Sequence, residues 1–374
     1  MDSAHQVAFE WNAVPHPGET VVEYLDFHAW SQRDLARRSG LTPKTISEIC
    51  NGKAPITPST ALAFEKVFQR PAHFWLNLQR HFDEAVARRR ELAKSPKWSE
   101  WVRNFPLKEM KRLKFTLLEG PSDADALLSF FGVSSPESWN AVWKASAVAY
   151  RQTRTFRARE ETIAAWVREA ELVARTLDVV EFDEERLLSS LDKLRRLTQK
   201  PADKIMDPIQ TICAGSGIAV VLVPELPNTG ISGCARWLTD KKALVGLTLR
   251  YKTDDQLWFT LFHEIGHVLL HRNKRSFVVD NAAEDLSDHI VDPEMQQFEA
   301  EASRFAADTL IPPRALSDFI RKQAFTNESI HDFAEAVGVG PGIVVGRLQH
   351  EGLLARHQGN KLKQKLDWGF AGER

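Results

Sequence analysis

The sequence predicts a mainly α, multidomain protein, in which an N-terminal all-α bundle precedes an α+β domain with a small sheet. Apolar residues recur at helical spacing through most of the 374 residues, and Ser, Thr and Pro stand where helices begin. The period changes near Ile218, where a β-branched run begins. The length itself favours two or three domains. We expect segments at 1–85, 86–200, 201–315 and 316–374.

Composition and charge exclude several classes of protein. The hydrophobic fraction is 43% and the formal net charge is -1, so no global field attracts the chain to nucleic acid or membrane, and any nucleic-acid site must be local. Three widely spaced cysteines, none of them in a C-x-x-C pair, argue for a reducing compartment and against a disulfide framework. The first residues do not resemble a secretory signal, and no apolar run reaches the length of a membrane span. We expect a cytoplasmic protein with no membrane partner.

Two short helices joined by a tight turn are predicted near the N-terminus. Ser31 is a suitable N-cap for the first helix and Gly40 a suitable end, while Thr42 caps the second helix, with Pro43 at its first position. This arrangement predicts a helix-turn-helix, whose second helix enters the major groove of DNA. The alternative is a small helical bundle that contacts other proteins.

The polar side chains of this helix pair are candidates for contact with double-stranded DNA. Basic residues slightly outnumber acidic ones between Arg33 and Lys53, which suffices for phosphate contacts if two copies bind together. Gln32, at the start of the first helix, is expected near a phosphate. The residues expected to contact DNA are Gln32, Lys44, Thr45, Ser47, Glu48, Asn51 and Lys53.

Six short motifs in about the first 80 residues carry a family resemblance. They are His16-Pro17-Gly18-Glu19, Ser31-Gln32-x-x-Leu35-Ala36, Thr45-Ile46-Ser47, Asn51-Gly52-Lys53, Ile56-Thr57-Pro58 and Phe74-Trp75-Leu76-Asn77-Leu78-Gln79. This stretch resembles the HigA branch of the XRE-type helix-turn-helix antitoxins. The resemblance implies a homodimer that binds an inverted repeat in its own promoter, with a small RNA-cleaving toxin as a possible protein partner.

The motif with the clearest chemistry is His263-Glu264-Ile265-Gly266-His267, which lies in an apolar run. Residues at i and i+4 share one face of a helix, so His263 and His267 can bind one metal ion, and Glu264 can take a proton from metal-bound water. We expect Thr253 and Gln256 to start this helix with a capping box. The alternative is a core helix with two hydrogen-bonded histidines. Burial of these polar groups among apolar residues is costly unless they are paired or bound to a metal.

A third metal ligand is expected on the next predicted helix, Met295–Leu310. The chain lacks the Gly and His that the extended metzincin pattern requires at positions 270 and 273. On a helical projection Glu299 lies about 60° from the centre of the apolar face, and Glu301 about 100° away on the other side. We therefore prefer Glu299 to Glu301. Weaker alternatives lie in the preceding loop, namely Asp288, His289 and Asp292.

Residues outside this motif carry further expectations. His271, at i+4 from His267, is expected to line the site or to stack outside it. His271 and Tyr251 are candidates for an oxyanion donor. Lys361, Lys363 and Lys365 predict a frayed basic end.

Three strands are predicted before the histidine motif. They are expected at Ile218–Pro224, Ser232–Leu238 and Ala243–Leu249. In zinc peptidases the edge of such a sheet holds the substrate as an additional extended strand.

The C-terminal half carries a second family resemblance, over about residues 200–350. Its motifs are Trp258-Phe259-Thr260-Leu261-Phe262-His263-Glu264-Ile265-Gly266-His267, with His271 four residues on, Glu299-x-x-Ala302-x-x-Phe305-Ala306-Ala307, and Gly340-Pro341-Gly342-Ile343-Val344-Val345-Gly346-Arg347-Leu348-Gln349. These motifs resemble the ImmA/IrrE zinc metallopeptidases. The resemblance implies a zincin-like domain with Glu299 as third zinc ligand, and a role in cleaving or inactivating helix-turn-helix repressors. The chain departs from the family at Ser303, where the family usually has Asn.

Together these patterns predict a DNA-binding transcriptional regulator or antitoxin with a zinc-dependent endopeptidase domain. Zn²⁺ is the expected cofactor, with His263, His267 and Glu299 as ligands and Glu264 as the catalytic base. The expected substrate is a protein partner or the chain itself. The alternative is a non-proteolytic repressor or antitoxin whose peptidase-like domain senses a ligand or partner.

Overall fold

The computed structural model describes residues 14–144, 160–272, 276–280, 293–322 and 325–367. Helices predominate in these ranges, which confirms the mainly α, multidomain class. The chain divides into two compact units, Met1–Trp98 and Ser99–Arg374. The segment boundaries predicted at residues 85, 200 and 315 remain proposals. No helix in the described part combines the length and the apolar character needed to cross a bilayer.

The first unit is an all-α bundle. Its described helices are α1 (Pro17–Phe27), α2 (Gln32–Ser39), α3 (Pro43–Cys50), α4 (Pro58–Phe68) and α5 (Ala72–Leu92), and a 3₁₀ turn follows at Ser95–Trp98. The helix-turn-helix expected from the sequence is the pair α2 and α3.

Helix ends in the first unit follow from local side chains. Ser31 Oγ accepts a hydrogen bond from the Asp34 N–H at 3.2 Å, and Thr42 Oγ1 accepts one from the Thr45 N–H at 3.0 Å. Between them, Gly40 ends α2 with a φ of 73°, a left-handed conformation that favours glycine. The caps predicted from the sequence are confirmed, and they define the turn between α2 and α3.

Residues from two of the sequence motifs join separate elements of the first unit. Gly18 in α1 lies so near α3 that a Cβ there would overlap the carbonyl oxygen of Ile49. The buried Gln79 in α5 accepts a hydrogen bond from the Ile56 N–H at 2.8 Å and donates one to Asp83 at 2.9 Å. Because an unpaired buried N–H is costly, Gln79 stabilises the loop that leads into α4.

The second unit starts with helices that precede a sheet. These helices are α6 (Ser99–Val102), α7 (Leu107–Arg112), α8 (Asp123–Phe131), α9 (Pro136–Trp139), α10 (Glu160–Thr176), α11 (Glu184–Arg196) and α12 (Met206–Ala214). Later helices are α13 (Asp254–Leu270), α14 (Pro293–Leu310), α15 (Pro313–Arg321), α16 (Asn327–Val337) and α17 (Pro341–His350). Single turns of other helix types occur at Asn140–Lys144, Leu197–Gln199, Ala202–Lys204 and Asn360–Leu362.

The sheet has four described strands, β1 (Ile218–Leu222), β2 (Ile231–Thr239), β3 (Lys242–Leu247) and β4 (Ser276–Asp280). Their order is β1-β3-β2-β4, with β1 parallel to β3 and β2 antiparallel to both of its neighbours. The three predicted strands are present. The sequence analysis did not predict β4, which follows the histidine motif in the chain and joins the sheet by pairing with the distant β2.

Strand β1 contributes to two cores, one on each face of the sheet. Ile218, Val220 and Leu222 join the core that contains α12 and α13, whereas Ala219 and Val221 join the core that contains α8 and α10. Alternate residues of a strand point to opposite faces, so a run that is apolar throughout indicates cover on both sides. The sheet is therefore the middle layer of the second unit.

The C-terminal segment holds the start of α13. Lys363 Nζ lies 2.7 Å from Asp255 Oδ2, with the Asp255 side chain buried and the Lys363 side chain 11% exposed, and the Asp254 N–H donates to the Gln364 carbonyl oxygen at 3.0 Å. The prediction of a frayed basic end was wrong at Lys363, because its ammonium group is paired with a carboxylate that lies 108 residues away in sequence.

Helix α13 begins where it was expected, immediately after Thr253, but the predicted capping box was wrong. The Thr253 side chain makes no capping hydrogen bond. Its backbone instead forms an isolated antiparallel bridge with Lys365. Pairing with the C-terminal segment thus takes the place of the side-chain cap.

Candidate functional site

Helix α13 carries the two histidines of the H-E-x-x-H motif on a buried face. His263 and His267 lie one turn apart, and their Nε2 atoms are 2.9 Å from each other. Both residues are almost fully excluded from solvent, as is Glu264. The i and i+4 spacing thus brings the two ring nitrogens to one point, as the sequence predicts.

A carboxylate from α14 reaches both histidines. Glu299 Oε2 lies 3.1 Å from His263 Nε2, and Glu299 Oε1 lies 3.4 Å from His267 Nε2. One potential ligand atom from each of these three residues lies within 4.8 Å of the other two. Glu301, the alternative to Glu299, does not belong to this group. The weaker alternatives fall outside the described residues; they are Asp288, His289 and Asp292.

The protonation of these donors suits metal binding. Burial lowers the pKa of His267 to about 4, against the opposing effect of Glu299, so the imidazole is neutral at pH 7. Burial acts to raise the pKa of Glu299, but hydrogen bonds with His263 and His267 outweigh it and lower the pKa to about 2. A neutral imidazole and an ionised carboxylate are the forms that bind a divalent cation.

Glu264 lies beside this group, and its carboxyl has no partner in the described part of the chain. It is fully buried, and neither carboxyl oxygen has a hydrogen-bond partner among the described residues. Burial and then the charge of Glu299 raise the pKa of Glu264 well above its ordinary value. Gly233 in β2 leaves room for the carboxyl, since a Cβ there would lie 2.7 Å from Glu264 Oε1.

These observations fit a bound zinc ion. Two imidazole nitrogens and one carboxylate oxygen form a known ligand set of catalytic zinc sites, which keep a fourth position open. A buried carboxyl without a partner is costly and needs an explanation. A cation held by the three donors would supply one, because a nearby positive charge favours the ionised carboxylate.

Ser303 supports His263 from the far side of the ring. Its Oγ lies 3.2 Å from His263 Nδ1. When Nε2 binds a metal, Nδ1 carries the proton and donates it to a neighbouring acceptor, which fixes the orientation of the ring. The departure from the family's usual Asn therefore still provides an oxygen at this position.

His271 contacts His267 and Glu301. Its Nδ1 lies 3.1 Å from His267 Nδ1, and its Nε2 lies 3.0 Å from Glu301 Oε2. Both ring nitrogens of His271 are thus engaged, which disfavours it as an oxyanion donor. Tyr251, the other candidate donor, is 41% exposed and borders a small cavity together with Thr260 of α13.

The residues expected to contact DNA all lie on α2, on α3 or in the turn after α3. The Asn51 Nδ2 donates to the Ser47 carbonyl oxygen at 2.8 Å, and Lys44 Nζ lies 3.8 Å from Glu48 Oε1. The fully exposed members of the set are Lys44, Asn51 and Lys53, and the half-buried members are Gln32, Thr45, Ser47 and Glu48.

Sequence reasoning did not assign the supporting roles of Gly233, of Ser303 towards His263, or of Glu301 towards His271. The i, i+4, i+8 spacing of the three histidines could have identified His271 as a partner of His267, and hence a need for a further acceptor. Gly233 gives no local signal, because its role depends on how β2 packs against α13.

Comparisons with known proteins match one family to the N-terminal unit and another to the C-terminal unit. Residues 28–75 match the helix-turn-helix family model HTH_3, and residues 247–349 match the IrrE N-terminal-like domain, Peptidase_M78. The chain is 37% identical over 73 residues to YddM, an uncharacterized HTH-type transcriptional regulator of Escherichia coli (strain K12), covering 20% of this chain and 78% of that protein. It is also 37% identical over 73 residues to virulence-associated protein I of Dichelobacter nodosus, covering 19% and 68%.

Two solved structures resemble the N-terminal part. An addiction module antidote protein of the HigA family from Coxiella burnetii is 35% identical, with coverage of 22% of this chain and 92% of that chain and a TM-score of 0.22. PA4674 from Pseudomonas aeruginosa, solved in complex with its operator DNA, is 31% identical, with coverage of 20% and 80% and a TM-score of 0.19. Both resemblances identified in the sequence are confirmed. The chain belongs to the helix-turn-helix family of transcriptional regulators through its N-terminal unit, and it carries an IrrE N-terminal-like domain of the Peptidase_M78 family in its C-terminal unit.

Proposed function

We propose that this protein is a DNA-binding transcriptional regulator whose C-terminal unit is a zinc-dependent endopeptidase acting on a protein partner or on the chain itself. The observation that carries the enzymatic part is the buried carboxyl of Glu264, which has no hydrogen-bond partner among the described residues and lies beside three converging metal donors. A purely structural site would pair that carboxyl, because an unpaired buried acid destabilises the fold.

The roles of the residues follow from their positions. His263, His267 and Glu299 would hold Zn²⁺, which lowers the pKa of a bound water and polarises a peptide carbonyl. Glu264 accepts the proton of the attacking water at a carboxyl oxygen and passes it to the amine that leaves. Ser303 holds the ring of His263 in place. The apolar surroundings of α13 exclude bulk water from these groups.

An extended polypeptide is the substrate class that we propose. Strand β4 forms one edge of the described sheet, beyond β2, which packs against α13 through Gly233. An open edge can pair with an extended peptide through backbone hydrogen bonds. This class of substrate agrees with a protein target and argues against a small-molecule substrate.

The peptidase proposal is tested by Glu264→Gln in the full chain. Wild type and variant are incubated with Zn²⁺ and a mixture of peptides of random sequence, with and without a chelator, and new termini are identified by mass spectrometry. We expect cleavage by the wild type that the chelator abolishes, and a loss of at least about 100-fold in the variant at unchanged zinc content. Glu335→Gln, at an exposed helical position, is the control. Cleavage at the wild-type rate by Glu264→Gln would contradict the role given to this residue.

A second candidate function is that of a non-proteolytic sensor. It is favoured by the burial of the described part of the site, where His263, Glu264 and His267 are each at most 2% exposed. In this case zinc would have a structural role, and the domain would respond to a ligand or partner protein. Zinc binding without cleavage of any peptide by the wild type would favour this function over the first.

We further propose that the N-terminal unit binds an inverted repeat in double-stranded DNA as a homodimer. The support is the helix-turn-helix family match and the exposed polar residues of α3 and its following turn. We also propose a toxin or a repressor as an additional protein partner, in keeping with the HigA-type sequence motifs and the IrrE N-terminal-like domain.

The DNA proposal is tested with the double variant Lys44→Ala/Lys53→Ala. Affinity for the region upstream of the gene is measured by fluorescence anisotropy at several salt concentrations. If both residues contact phosphates, the slope of log affinity against log salt falls by about 2 per bound protomer. Lys66→Ala, an exposed lysine on α4, is the control and should leave the slope unchanged. Equal slopes for all three proteins would contradict the placement of the interface.

A further inference from the structure

The two histidines of the candidate metal site differ in what supports them. His263 Nδ1 lies 3.2 Å from the hydroxyl oxygen of Ser303, and among the described residues this series of side-chain contacts goes no further. His267 Nδ1 meets a second histidine, His271, at 3.1 Å, and His271 in turn meets the carboxylate of Glu301 at 3.0 Å. The second arm therefore has one more residue and ends in an acidic group.

The direction of the hydrogen bonds along this arm follows from the inventory of donors and acceptors. If His267 presents an unprotonated Nε2 to a metal, its proton is on Nδ1 and is donated to His271 Nδ1. His271 Nδ1 must then be the acceptor, so the proton of His271 is on Nε2. That proton is donated to Glu301, which as a carboxylate accepts only. A single arrangement of protons thus satisfies every contact in the arm.

The arm is fixed in place by its neighbours. Gln297 Nε2 donates to the other oxygen of Glu301 at 2.8 Å, which orients the carboxylate. The ring of His271 packs against Phe298 with the ring centroids 4.4 Å apart, and the residue is only 5% exposed. The backbone N–H of His271 donates to the His267 carbonyl oxygen at 3.1 Å at the end of α13. Little freedom remains for the imidazole of His271 to turn away.

We propose that His271 and Glu301 are positioning residues that hold His267 in the tautomer that binds the metal through Nε2. The inference rests on the proposed function, because it assumes that His263, His267 and Glu299 bind Zn²⁺. It assigns Glu301 a role outside the ligand set. It also accounts for His271, which lies four residues after the H-E-x-x-H motif and has no other role in the proposed chemistry.

The proposal is tested by zinc affinity and by the absorption spectrum of the Co²⁺-substituted protein. Zn²⁺ affinity of the full chain is measured by competition with a chromogenic chelator at pH 7. For His271→Leu we expect an affinity about 10- to 100-fold lower than for the wild type and a changed Co²⁺ spectrum. Glu301→Gln keeps the size of the side chain and an acceptor oxygen but removes the negative charge. This variant should show a smaller loss of Zn²⁺ affinity than His271→Leu.

A conservative variant separates positioning from packing. In His271→Gln, the amide oxygen can accept from His267 and the amide nitrogen can donate to Glu301, so this variant should recover much of the affinity and the wild-type Co²⁺ spectrum. A role in packing alone predicts instead that His271→Leu is the better tolerated of the two. Glu335→Gln is the control for removal of an exposed helical carboxylate.

The outcomes separate this inference from the proposed function. Wild-type zinc affinity and an unchanged Co²⁺ spectrum in both His271→Leu and Glu301→Gln would overturn the positioning role and leave the zinc site intact. Failure of the wild type to bind Zn²⁺, or undiminished binding by Glu299→Ala, would overturn the zinc site itself. If His271→Leu does not fold, Glu301→Gln decides the question, because its side chain lies at the surface with 41% exposure.

Discussion

Helix α13 buries acidic groups in two places, and their surroundings differ. In its first turn Asp255 pairs with Lys363 at 2.7 Å, and Asp254 accepts a hydrogen bond from the Gln364 N–H at 2.9 Å. In the middle of the helix, both carboxyl oxygens of Glu264 lack a hydrogen-bond partner in the described part of the chain. Among the described residues, one oxygen of each aspartate at the helix start thus has a partner and the other has none, whereas at the centre neither oxygen of Glu264 has one.

A glycine packs equally closely against each of these three carboxyls, so the acidic groups differ in their hydrogen-bond partners and not in the space that the backbone leaves for them. A Cβ on Gly342 or Gly346 of α17 would lie 2.7 Å from a carboxyl oxygen of Asp254 or Asp255, and a Cβ on Gly233 would lie 2.7 Å from Glu264 Oε1. All three glycines leave room for an acid. Burial of a carboxyl alone is therefore a poor indicator of function. A buried carboxyl that the fold leaves unpaired, next to other donors, is a better one.

The largest effect on stability is expected for Lys363→Met, which removes the cation and keeps an apolar side chain. Asp255 would be left buried without its partner, so the free energy of unfolding should fall by on the order of 3 kcal/mol. Urea denaturation of the metal-free full chain at pH 7 measures it. By contrast, Glu264→Gln breaks no ion pair and should leave the stability of the metal-free protein within about 1 kcal/mol of the wild type.

The control for Lys363→Met is Lys361→Met, at an exposed position of the same segment, which should change the free energy of unfolding by no more than about 0.5 kcal/mol. If Glu264→Gln lowers the free energy of unfolding as much as Lys363→Met does, the distinction between Glu264 and Asp255 is contradicted. Glu264 would then be a structural carboxyl like Asp255.

A smaller effect, which depends on pH, is expected for Asp254→Asn. Burial and then the neighbouring Asp255 raise the pKa of Asp254 to about 6 in the folded state, from its ordinary value of 3.8. Since the folded pKa is the higher one, the contribution of Asp254 to stability is fully present below about pH 4 and is lost as the pH rises through 6. Asparagine stays neutral at every pH in this range. The free energy of unfolding of the variant, relative to that of the wild type, should therefore rise by on the order of 2 kcal/mol between pH 4.5 and pH 7.5.

This prediction is checked by urea denaturation of both proteins, free of metal, at pH 4.5 and pH 7.5. The asparagine Oδ1 can still accept from the Gln364 N–H, so the contact that ties the C-terminal segment to α13 is retained. A difference in stability that does not change with pH would show that Asp254 is ionised in the folded protein throughout this range.

Local patterns in the sequence sufficed for much of the fold and of the site. The caps at Ser31, Gly40 and Thr42 depend on residues within one turn, and the structure has each of them. The meeting of His263 and His267 follows from helical spacing alone. The preference for Glu299 over Glu301 came from the position of each residue relative to one apolar face, and the structure brings Glu299 to the two histidines.

The features that the sequence could not predict depend on distant partners. Strand β4 joins the sheet through its pairing with β2, and Lys363 is largely removed from solvent where it meets Asp255, 108 residues earlier. The contact of His271 with Glu301 joins two helices whose relative placement no local pattern specifies. A lysine near a chain end or a glutamate on a helix is most often solvated, so only the packed structure distinguishes these two.

The alternation of side chains along β1 has a consequence for how the chain can be divided. Because one strand serves the cores on both faces of the sheet, removal of α8 and α10 would uncover Ala219 and Val221 in any fragment that keeps β1. Residues 99–200 are then an integral part of the unit that carries the metal donors. The N-terminal helical unit is compact by itself, so a fragment can omit it, whereas a fragment that carries the metal donors has to keep the remainder in one piece.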